Sequence, residues 1–175
     1  MKNLSVLYSL LTVSVSLANP VVSTRNADGN PLNQEMKIDF QIHNSGMESI
    51  VLAGGVLTYA FTEPTSNFAS DVWWYSCGTL SDVAISVAAT SASNARELHL
   101  NLLAGEIPAG GTCEIQMRLY KPDWSNFDET DDPSFVESSS FTINSSVALQ
   151  QGTPLDVPED DDADSANYDL AGIDR

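Results

Sequence analysis

Apolar and polar residues alternate along four segments of the chain. These are 36–43 (MKIDFQIH), 57–62 (LTYAFT), 97–103 (ELHLNLL) and 113–120 (CEIQMRLY). A period of two is typical of strands with one buried face. A short apolar run at 82–88 has the length of a strand, and the Ser/Thr/Val-rich segment 139–149 predicts one or two more.

Turn-forming sequences separate these segments. They are NADGNP (26–31), NSG (44–46), AGG (53–55) and IPAGG (107–111). Strong helical periodicity is absent from the sequence. Many short strands with frequent turns predict an all-β protein, a single-domain antiparallel β-sandwich of jelly-roll type whose two sheets bury their apolar faces against each other.

The two ends of the chain differ from the middle. One lysine, an apolar stretch and the ending SLA predict a signal peptide at 1–18 and a secreted protein, with a first β-strand at TVSVSL as the alternative. The last residues, 158–175, predict a disordered acidic tail, with a Ca²⁺-binding loop as the alternative. The sandwich is therefore expected at 19–157.

The composition narrows the range of partners. The chain has 24 acidic and 7 basic residues, for a net charge of −17, which disfavours binding to nucleic acid or to an anionic membrane. A neutral polymer or a cation remains compatible with this charge. In an oxidising compartment Cys77 and Cys113 predict a disulfide, across the sheets or between neighbouring strands, with two unpaired thiols as the alternative.

The segment 118–132 (RLYKPDWSNFDETDD) carries the most distinctive chemistry. Trp124 precedes four acidic residues in the five positions from Asp128 to Asp132. Carboxylates this close repel one another unless a cation such as Ca²⁺ binds among them. The alternative is a solvated acidic loop. His43 and His99 are isolated, and the sequence has no hydrolase or phosphate-binding motif. A non-catalytic protein is expected, although paired carboxylates keep a small glycoside hydrolase as an alternative.

Three segments together resemble a known family. Residues 21–34, 40–62 and 107–135 are similar to carbohydrate-binding module family 3, the cellulose-binding β-sandwich of cellulosome scaffoldins and bacterial cellulases. The most specific match is K-x-D-W-S-N-aromatic followed by acids and S-F, whereas 63–96 matches poorly. The resemblance covers about 21–155. It implies a non-catalytic module that binds cellulose or a related β-glucan. We expect this module to be secreted and to stand alone, which is unusual for the family. The rival is an extracellular surface or matrix protein that uses the sandwich for protein contacts or self-assembly.

The resemblance also implies which residues bind carbohydrate. Arg118 and Trp124 map onto the family's linear binding strip, and alternation places Gln116 on the same outward face. Family members that bind crystalline cellulose also carry an Asp-His pair in this strip, and this sequence has neither residue at the corresponding positions. Trp73 and Tyr75 are expected to substitute for it on one face, with Trp74 on the other. Two polar anchoring positions, expected on the opposite sheet, map onto Asp28 and Asn30, and Gln34 lies nearby in sequence. For Trp124 the alternative is a cap on the sandwich edge.

A structural Ca²⁺ ion is the last feature that the resemblance implies. Its loop ligands map onto Asp128, Asp131 and Asp132. Its strand ligands map onto Thr62 and Pro64, and proline has no side-chain oxygen. Glu63 is expected to compensate for that lost ligand.

Overall fold

The computed structural model describes residues 20–152. The predicted signal peptide and acidic tail lie outside the described residues. Within 20–152 the secondary structure consists of two 3₁₀ helices, Leu80–Asp82 and Glu129–Asp131, and eleven strands. The strands are β1 Val21–Asn26, β2 Glu35–His43, β3 Ile50–Val51, β4 Gly55–Thr62, β5 Ala69–Tyr75, β6 Val83–Ala89, β7 Ala95–Leu102, β8 Glu106–Ile107, β9 Thr112–Tyr120, β10 Thr142–Ile143 and β11 Ala148–Gln150. None of the described residues form a helix able to cross a membrane.

The strands form two main antiparallel sheets. We call the five-stranded sheet, in the order β10-β1-β2-β9-β5, the front sheet. The four-stranded sheet, in the order β11-β4-β7-β6, is the back sheet, and β3 pairs with β8 in a small third sheet. Every strand pair is antiparallel. The all-β sandwich predicted from the alternation is confirmed.

The core lies between the two main sheets. Along β4, β7 and β9 every second residue is buried, and along β2 the alternation is broken only by a buried Asp39. Burial of such side chains stabilises the fold by about 25 cal/mol per Å² of apolar surface. The inward-facing core residues of these four strands are Met36, Ile38, Phe40, Ile42, Leu57, Tyr59, Phe61, Leu98, Leu100, Leu102, Cys113, Ile115, Met117 and Leu119.

A disulfide joins Cys77 and Cys113, whose Cα atoms are 5.6 Å apart. Cys77 follows the end of β5, and Cys113 lies near the start of β9. Because β5 and β9 pair in the front sheet, the bond connects neighbouring strands, which is one of the two arrangements expected. It anchors β5, an edge strand, at the end where pairing with β9 stops.

Candidate functional site

The outer face of the front sheet carries the residues of interest. Along β9 the side chains of Gln116, Arg118 and Tyr120 alternate with buried residues and therefore point away from the core. Strand β2 lies on one side of β9 and β5 on the other. The register places Lys37 and Asp71 opposite Arg118.

Arg118 is held by carboxylates on both sides. Its Nε and Nη2 atoms donate to Oδ2 of Asp71, at 2.8 and 2.7 Å, and its Nη1 donates to Glu35 at 2.8 Å. These hydrogen bonds raise the pKa of Arg118. Lys37 and then Arg118, through their hydrogen bonds, lower the pKa of Glu35. The guanidinium therefore carries its positive charge, which the two carboxylates balance, and their hydrogen bonds fix it against the sheet.

Tyr120 connects Arg118 with Trp124. The Arg118 guanidinium carbon lies 4.9 Å from the centre of the Tyr120 ring. The Trp124 ring stacks on Tyr120, with 5.1 Å between ring centres and 14° between ring planes. Both contacts are favourable for aromatic rings. The three side chains form a continuous aromatic and cationic row.

Trp124 has an unusual backbone conformation. Its φ angle is +55°, and it is the one described residue other than glycine with positive φ. Such a conformation is uncommon and costly for a bulky residue. A turn holds this conformation. It is closed by the Trp124 N–H, which donates to the carbonyl of Lys121 at 2.9 Å. The side chain is 46% exposed, so it does not cap the edge of the sandwich.

A β-bulge places two more tryptophans on the same face. The register of β5 against β9 shifts between Val72 and Trp74, so Trp73 and Trp74 both face outward, opposite Gln116. The two are 42% and 50% exposed, and Trp73 Nε1 donates to Gln116 Oε1 at 2.9 Å. The prediction that alternation separates Trp73 from Trp74 is wrong, because a bulge inserts an extra residue.

Tyr75 is not on this face. It is 5% exposed and belongs to the core, and its hydroxyl donates to the carbonyl of Ala104 at 2.7 Å. Burial, and then the charge of Asp82, raise its pKa to about 12. The prediction that Tyr75 binds carbohydrate is therefore wrong, since the same bulge turns it inward.

The predicted anchoring residues lie on the front sheet and not on the opposite one. Asp28 and Asn30 belong to the loop between β1 and β2. Asp28 accepts a hydrogen bond from Asn33 Nδ2 at 2.6 Å and lies 3.9 Å from Lys37 Nζ. Asp28 and Gln34 line a groove that has Trp124 as one of its walls. Asn30 uses its side-chain oxygen to accept from the N–H of Leu32.

The acidic loop packs against the end of β4. Asp132 Oδ1 accepts from the N–H of Thr62 at 2.7 Å, which joins two of the predicted calcium ligands. Asp128 caps the 3₁₀ helix by accepting from the N–H of Thr130. Asp131 is exposed. The loop is therefore attached to the strand that the sequence predicted as its partner.

Two of these acids are buried. Glu129 is 1% exposed, and its Oε1 has no hydrogen-bond partner among the described residues. Burial first, and then the charges of Asp132 and Asp28, raise the pKa of Glu129 to about 8. Burial also raises the pKa of Asp132 to about 7, against the lowering effect of the Thr62 N–H. The loop thus contains buried carboxylates whose ionised form lacks a counter-charge.

Glu63 already has a cationic partner. Lys121 Nζ lies 3.0 Å from Glu63 Oε2, and both residues are almost fully buried. The same ammonium donates to the carbonyl of Asn126 and lies 4.5 Å from the centre of the Phe127 ring. The carbonyl of Pro64 accepts from Arg96 at 3.1 Å. Residues 20–152 contain no cluster of three or more acidic, histidine or cysteine side chains arranged to hold a metal ion. Glu63 is therefore engaged by Lys121, whereas the buried carboxylates of the acidic loop have no cationic side chain as partner among the described residues.

Comparisons with known proteins agree with this fold. The family model of the cellulose binding domain CBM_3 matches residues 21–155. A xyloglucanase from a Paenibacillus species is 32% identical over 128 residues, which are 69% of this chain and 12% of that enzyme. The protein named "Uncharacterized protein in celA 5'region" of Paenibacillus lautus is 37% identical over 117 residues, or 63% of this chain and 79% of that protein.

A solved structure shows the same architecture. The family 3b carbohydrate-binding module from the biomass sensoring system of Clostridium clariflavum superposes with a TM-score of 0.72 at 25% identity, and the match covers 76% of this chain and 91% of that one. The family match and the shared fold define a carbohydrate-binding module, which is a non-catalytic class of domain. The chain belongs to the CBM_3 family of cellulose-binding domains.

Proposed function

We propose that the outer face of the front sheet binds cellulose or a related β-glucan. The observation that carries this proposal is the row formed by β9 and the loop after it, in which Trp124 stacks on Tyr120 and Tyr120 contacts Arg118. An exposed aromatic face stacks on the apolar face of a glucose ring, and each such contact contributes about 1–3 kcal/mol. Gln116, Arg118 and Asp71 supply hydrogen-bonding groups beside the rings.

Two aromatic areas on this face are proposed to contact sugar rings. Tyr120 with Trp124 forms one, and Trp73 with Trp74 at the β5 bulge forms the other. Gln116 and Tyr120 are four residues apart on β9, so the two areas are about 14 Å apart. A single sugar ring is too short to contact both areas. We therefore assign the strip to a polysaccharide and not to a monosaccharide.

The charges on the strip favour a neutral polymer. Arg118 is paired with Asp71 and Glu35, and Lys37 is paired with Glu35 at 2.6 Å. The chain as a whole carries a charge of −17. Acidic polysaccharides would be repelled by this charge, whereas a neutral glucan offers hydroxyl groups to the paired carboxylates and to Gln116.

We also propose a structural Ca²⁺ ion at the acidic loop. Asp128, Asp131 and Asp132 would hold it, with Thr62 from β4 and with Glu129 in place of Glu63. The unpartnered buried oxygen of Glu129 and the raised pKa of Asp132 support this. Ca²⁺ would supply the counter-charge that these carboxylates lack, and Ca²⁺ prefers hard oxygen donors of this type.

Secretion is the third part of the proposal. The Cys77–Cys113 disulfide supports it, because disulfides form and persist in oxidising compartments outside the cytoplasm. A cellulose-binding domain also needs access to a polymer that is found outside cells. Recovery of the protein from the culture medium, with an N-terminus that begins after Ala18, is the expected result when the full chain is expressed in a secreting host.

Adsorption to a panel of insoluble polysaccharides tests the function directly. The purified protein is mixed with microcrystalline cellulose, amorphous cellulose, chitin and starch, and the unbound fraction is measured. We expect depletion by one or both forms of cellulose and none by starch. Indifference to the whole panel, together with ordered oligomers in gel filtration, would replace this proposal with a surface or matrix protein that assembles through the sandwich.

A further inference from the structure

The edge strands of the two main sheets differ in how well they are protected. An unpaired edge is a template for another strand, and proteins commonly shorten it, bend it with a bulge or place charges on it. Strands β10 and β11 are two and three residues long, and β5 has a bulge and carries Asp71. Strand β6 has seven residues, VAISVAA, with no charge, proline or bulge. Among the described strands of the main sheets, β6 is therefore the unprotected edge.

The hydrogen bonds at the two ends of β6 show which of its backbone groups are free. The carbonyl of Asp82 accepts from the N–H of Leu103 at 2.8 Å, and the N–H of Thr90 donates to the carbonyl of Ala95 at 3.2 Å. Backbone groups alternate between the two sides of an antiparallel strand, so the even-numbered residues face β7. The N–H and C=O groups that point to the open edge include those of Ile85, Val87 and Ala89.

The side chains of β6 also leave apolar surface uncovered. Ile85 and Val87 pack against the core and lie opposite Leu100 and Leu98 of β7. Both are partly buried, whereas their two partners on β7 are fully buried. A further strand beside β6 would cover these two side chains and satisfy the free backbone groups at the same time.

The sequence of β6 is complementary to itself. In an antiparallel pair centred on Ser86, Ile85 of one copy lies opposite Val87 of the other. Their free N–H and C=O groups then bond to each other. Ala84 lies opposite Ala88 in the same register, so inward-facing side chains meet inward-facing ones. Two back sheets would thus join into one continuous sheet with a continuous apolar face.

Charge repulsion between two copies is small along this edge. The chain carries a charge of −17, but β6 itself has no charged residue. Asp82, which precedes the strand, would lie opposite Thr90 of the other copy, at the far end from the second Asp82. Repulsion between the remaining charges acts over longer distances and is screened by salt. A second copy of the chain is therefore a suitable partner, and added salt should strengthen the pair.

We infer that this protein forms a two-fold dimer in which the β6 strands of two copies pair antiparallel, with Ser86 at the axis. Paired residues of neighbouring strands project to the same face of a sheet, so both back sheets face one side of the dimer and both front sheets face the other. Two Trp124 rings are then presented in one direction. Both copies can contact one polymer surface, and the dimer adsorbs more tightly than a monomer. This last consequence rests on the proposed function, whereas the dimer does not.

Sedimentation velocity over a range of protein concentrations tests the dimer. Ser86→Asp and Ser86→Lys each place two like charges opposite each other at the axis and should raise the dissociation constant of the dimer about fivefold or more. An equimolar mixture of the two variants should restore the dimer, because opposite charges then face each other. Ser86 is exposed, and circular dichroism checks that both variants are folded. Gln150→Asp, at an exposed position on β11, is the control for added charge and should dimerise as the wild type does.

Amide hydrogen exchange gives a second readout, which needs no substitution. The N–H groups of Ile85, Val87 and Ala89 should become protected as the concentration of the wild type rises. Protection of the Ser86 N–H, which already faces β7, should not change. Equal exchange of the three edge amides in dilute and concentrated protein would contradict the pairing.

The remaining outcomes separate the dimer from the proposed function. A wild type that stays monomeric up to about 1 mM, or a dimer that both Ser86 variants leave unchanged, would overturn the inference. Equal weakening by Gln150→Asp would also overturn it. On insoluble cellulose, Ser86→Asp should adsorb more weakly than the wild type but still bind. A dimer that ignores cellulose would overturn the proposed function alone, and a monomer that adsorbs would overturn the dimer alone.

Discussion

Asp71 receives two hydrogen bonds from Arg118 across the edge of the front sheet, from Nε at 2.8 Å and from Nη2 at 2.7 Å, both on Oδ2. The pair lies between the aromatic area at Trp124 and the one at the β5 bulge. Both side chains lie on the surface, so the pair contributes little to the stability of the core. Its consequence is that the guanidinium is held in one orientation beside Tyr120.

Asp71→Asn should therefore weaken binding more than folding. Surface ion pairs contribute about 0–1 kcal/mol to stability, so the melting temperature should change little. Affinity for cellulose should fall several-fold, because Arg118 loses one of the two carboxylates that orient it. Depletion isotherms check this, with Glu97→Gln on the outer face of β7 as the control. Unchanged affinity would show that Arg118 needs no orientation by Asp71.

The buried pair of Lys121 and Glu63 should affect the stability of the fold and not the binding of cellulose. Lys121→Met should destabilise the protein by about 3–5 kcal/mol, since it leaves a buried carboxylate without its cation. Urea unfolding measures this loss. Lys37→Met is the matched control, because Lys37 pairs with Glu35 on the exposed face and its loss should cost about 0–1 kcal/mol.

A double variant separates charge from packing at the same pair. Lys121→Met/Glu63→Leu removes both charges and should be less destabilised than Lys121→Met alone, because no unpaired charge remains. If the double variant is the less stable of the two, the stabilisation comes from the packing of these side chains and not from their charges.

The disulfide predicts a measurable loss of stability on its removal. Cys77 and Cys113 are 36 residues apart in sequence, and a bond that closes a loop of this size stabilises a protein by about 2–4 kcal/mol. Cys77→Ala/Cys113→Ala should lose this amount in urea unfolding. Reductant should destabilise the wild type and leave the double variant unaffected; equal sensitivity of both proteins would argue against the bond.

The proposed calcium site predicts a response to metal removal. A chelator should lower the melting temperature of the wild type, and added Ca²⁺ should restore it by mass action. Asp131→Ala should lose most of that response, while Glu106→Ala, an exposed acid on β8, should keep it. A melting curve that is the same with chelator and with Ca²⁺ would exclude a stabilising ion.

The strands that alternate strictly were predictable from the sequence. Strands β2, β4, β7 and β9 lie within one or two residues of their predicted limits, because a half-buried strand imposes a period of two on its side chains. Strand β5 was not recognised. It has few residues in the core, and its bulge breaks the period at the point where Trp73 and Trp74 occur.

The site was predictable only where a motif marked it. Arg118, Gln116 and Trp124 were predicted from the outward row of β9 and from the family resemblance, and all three lie on the exposed face that we propose as the binding site. Asp71 and Tyr120 were not predicted as site residues, and Trp74 was assigned to the wrong face, since their positions depend on the pairing of β5 with β9 and on a stacking contact. Alternation places one of two adjacent tryptophans on the buried side of a strand, so the sequence pattern carries no signal that both rings are exposed.

The acidic segment shows a similar limit. The sequence identifies four carboxylates in five positions but does not show which of them are buried. The structure buries Glu129 and Asp132 and leaves Asp128 and Asp131 exposed. Lys121 is likewise indistinguishable from a surface lysine in sequence, although it is 5% exposed and ion-paired.

The central claim is that the exposed Trp124 ring binds the polymer, and adsorption of Trp124→Ala to insoluble cellulose tests it most directly. The variant is compared with the wild type and with Leu103→Ala, which removes another exposed apolar side chain. We predict that Trp124→Ala binds about tenfold or more weakly, with an unchanged melting temperature, and that Leu103→Ala binds as the wild type does. A folded Trp124→Ala variant with wild-type adsorption would contradict the account.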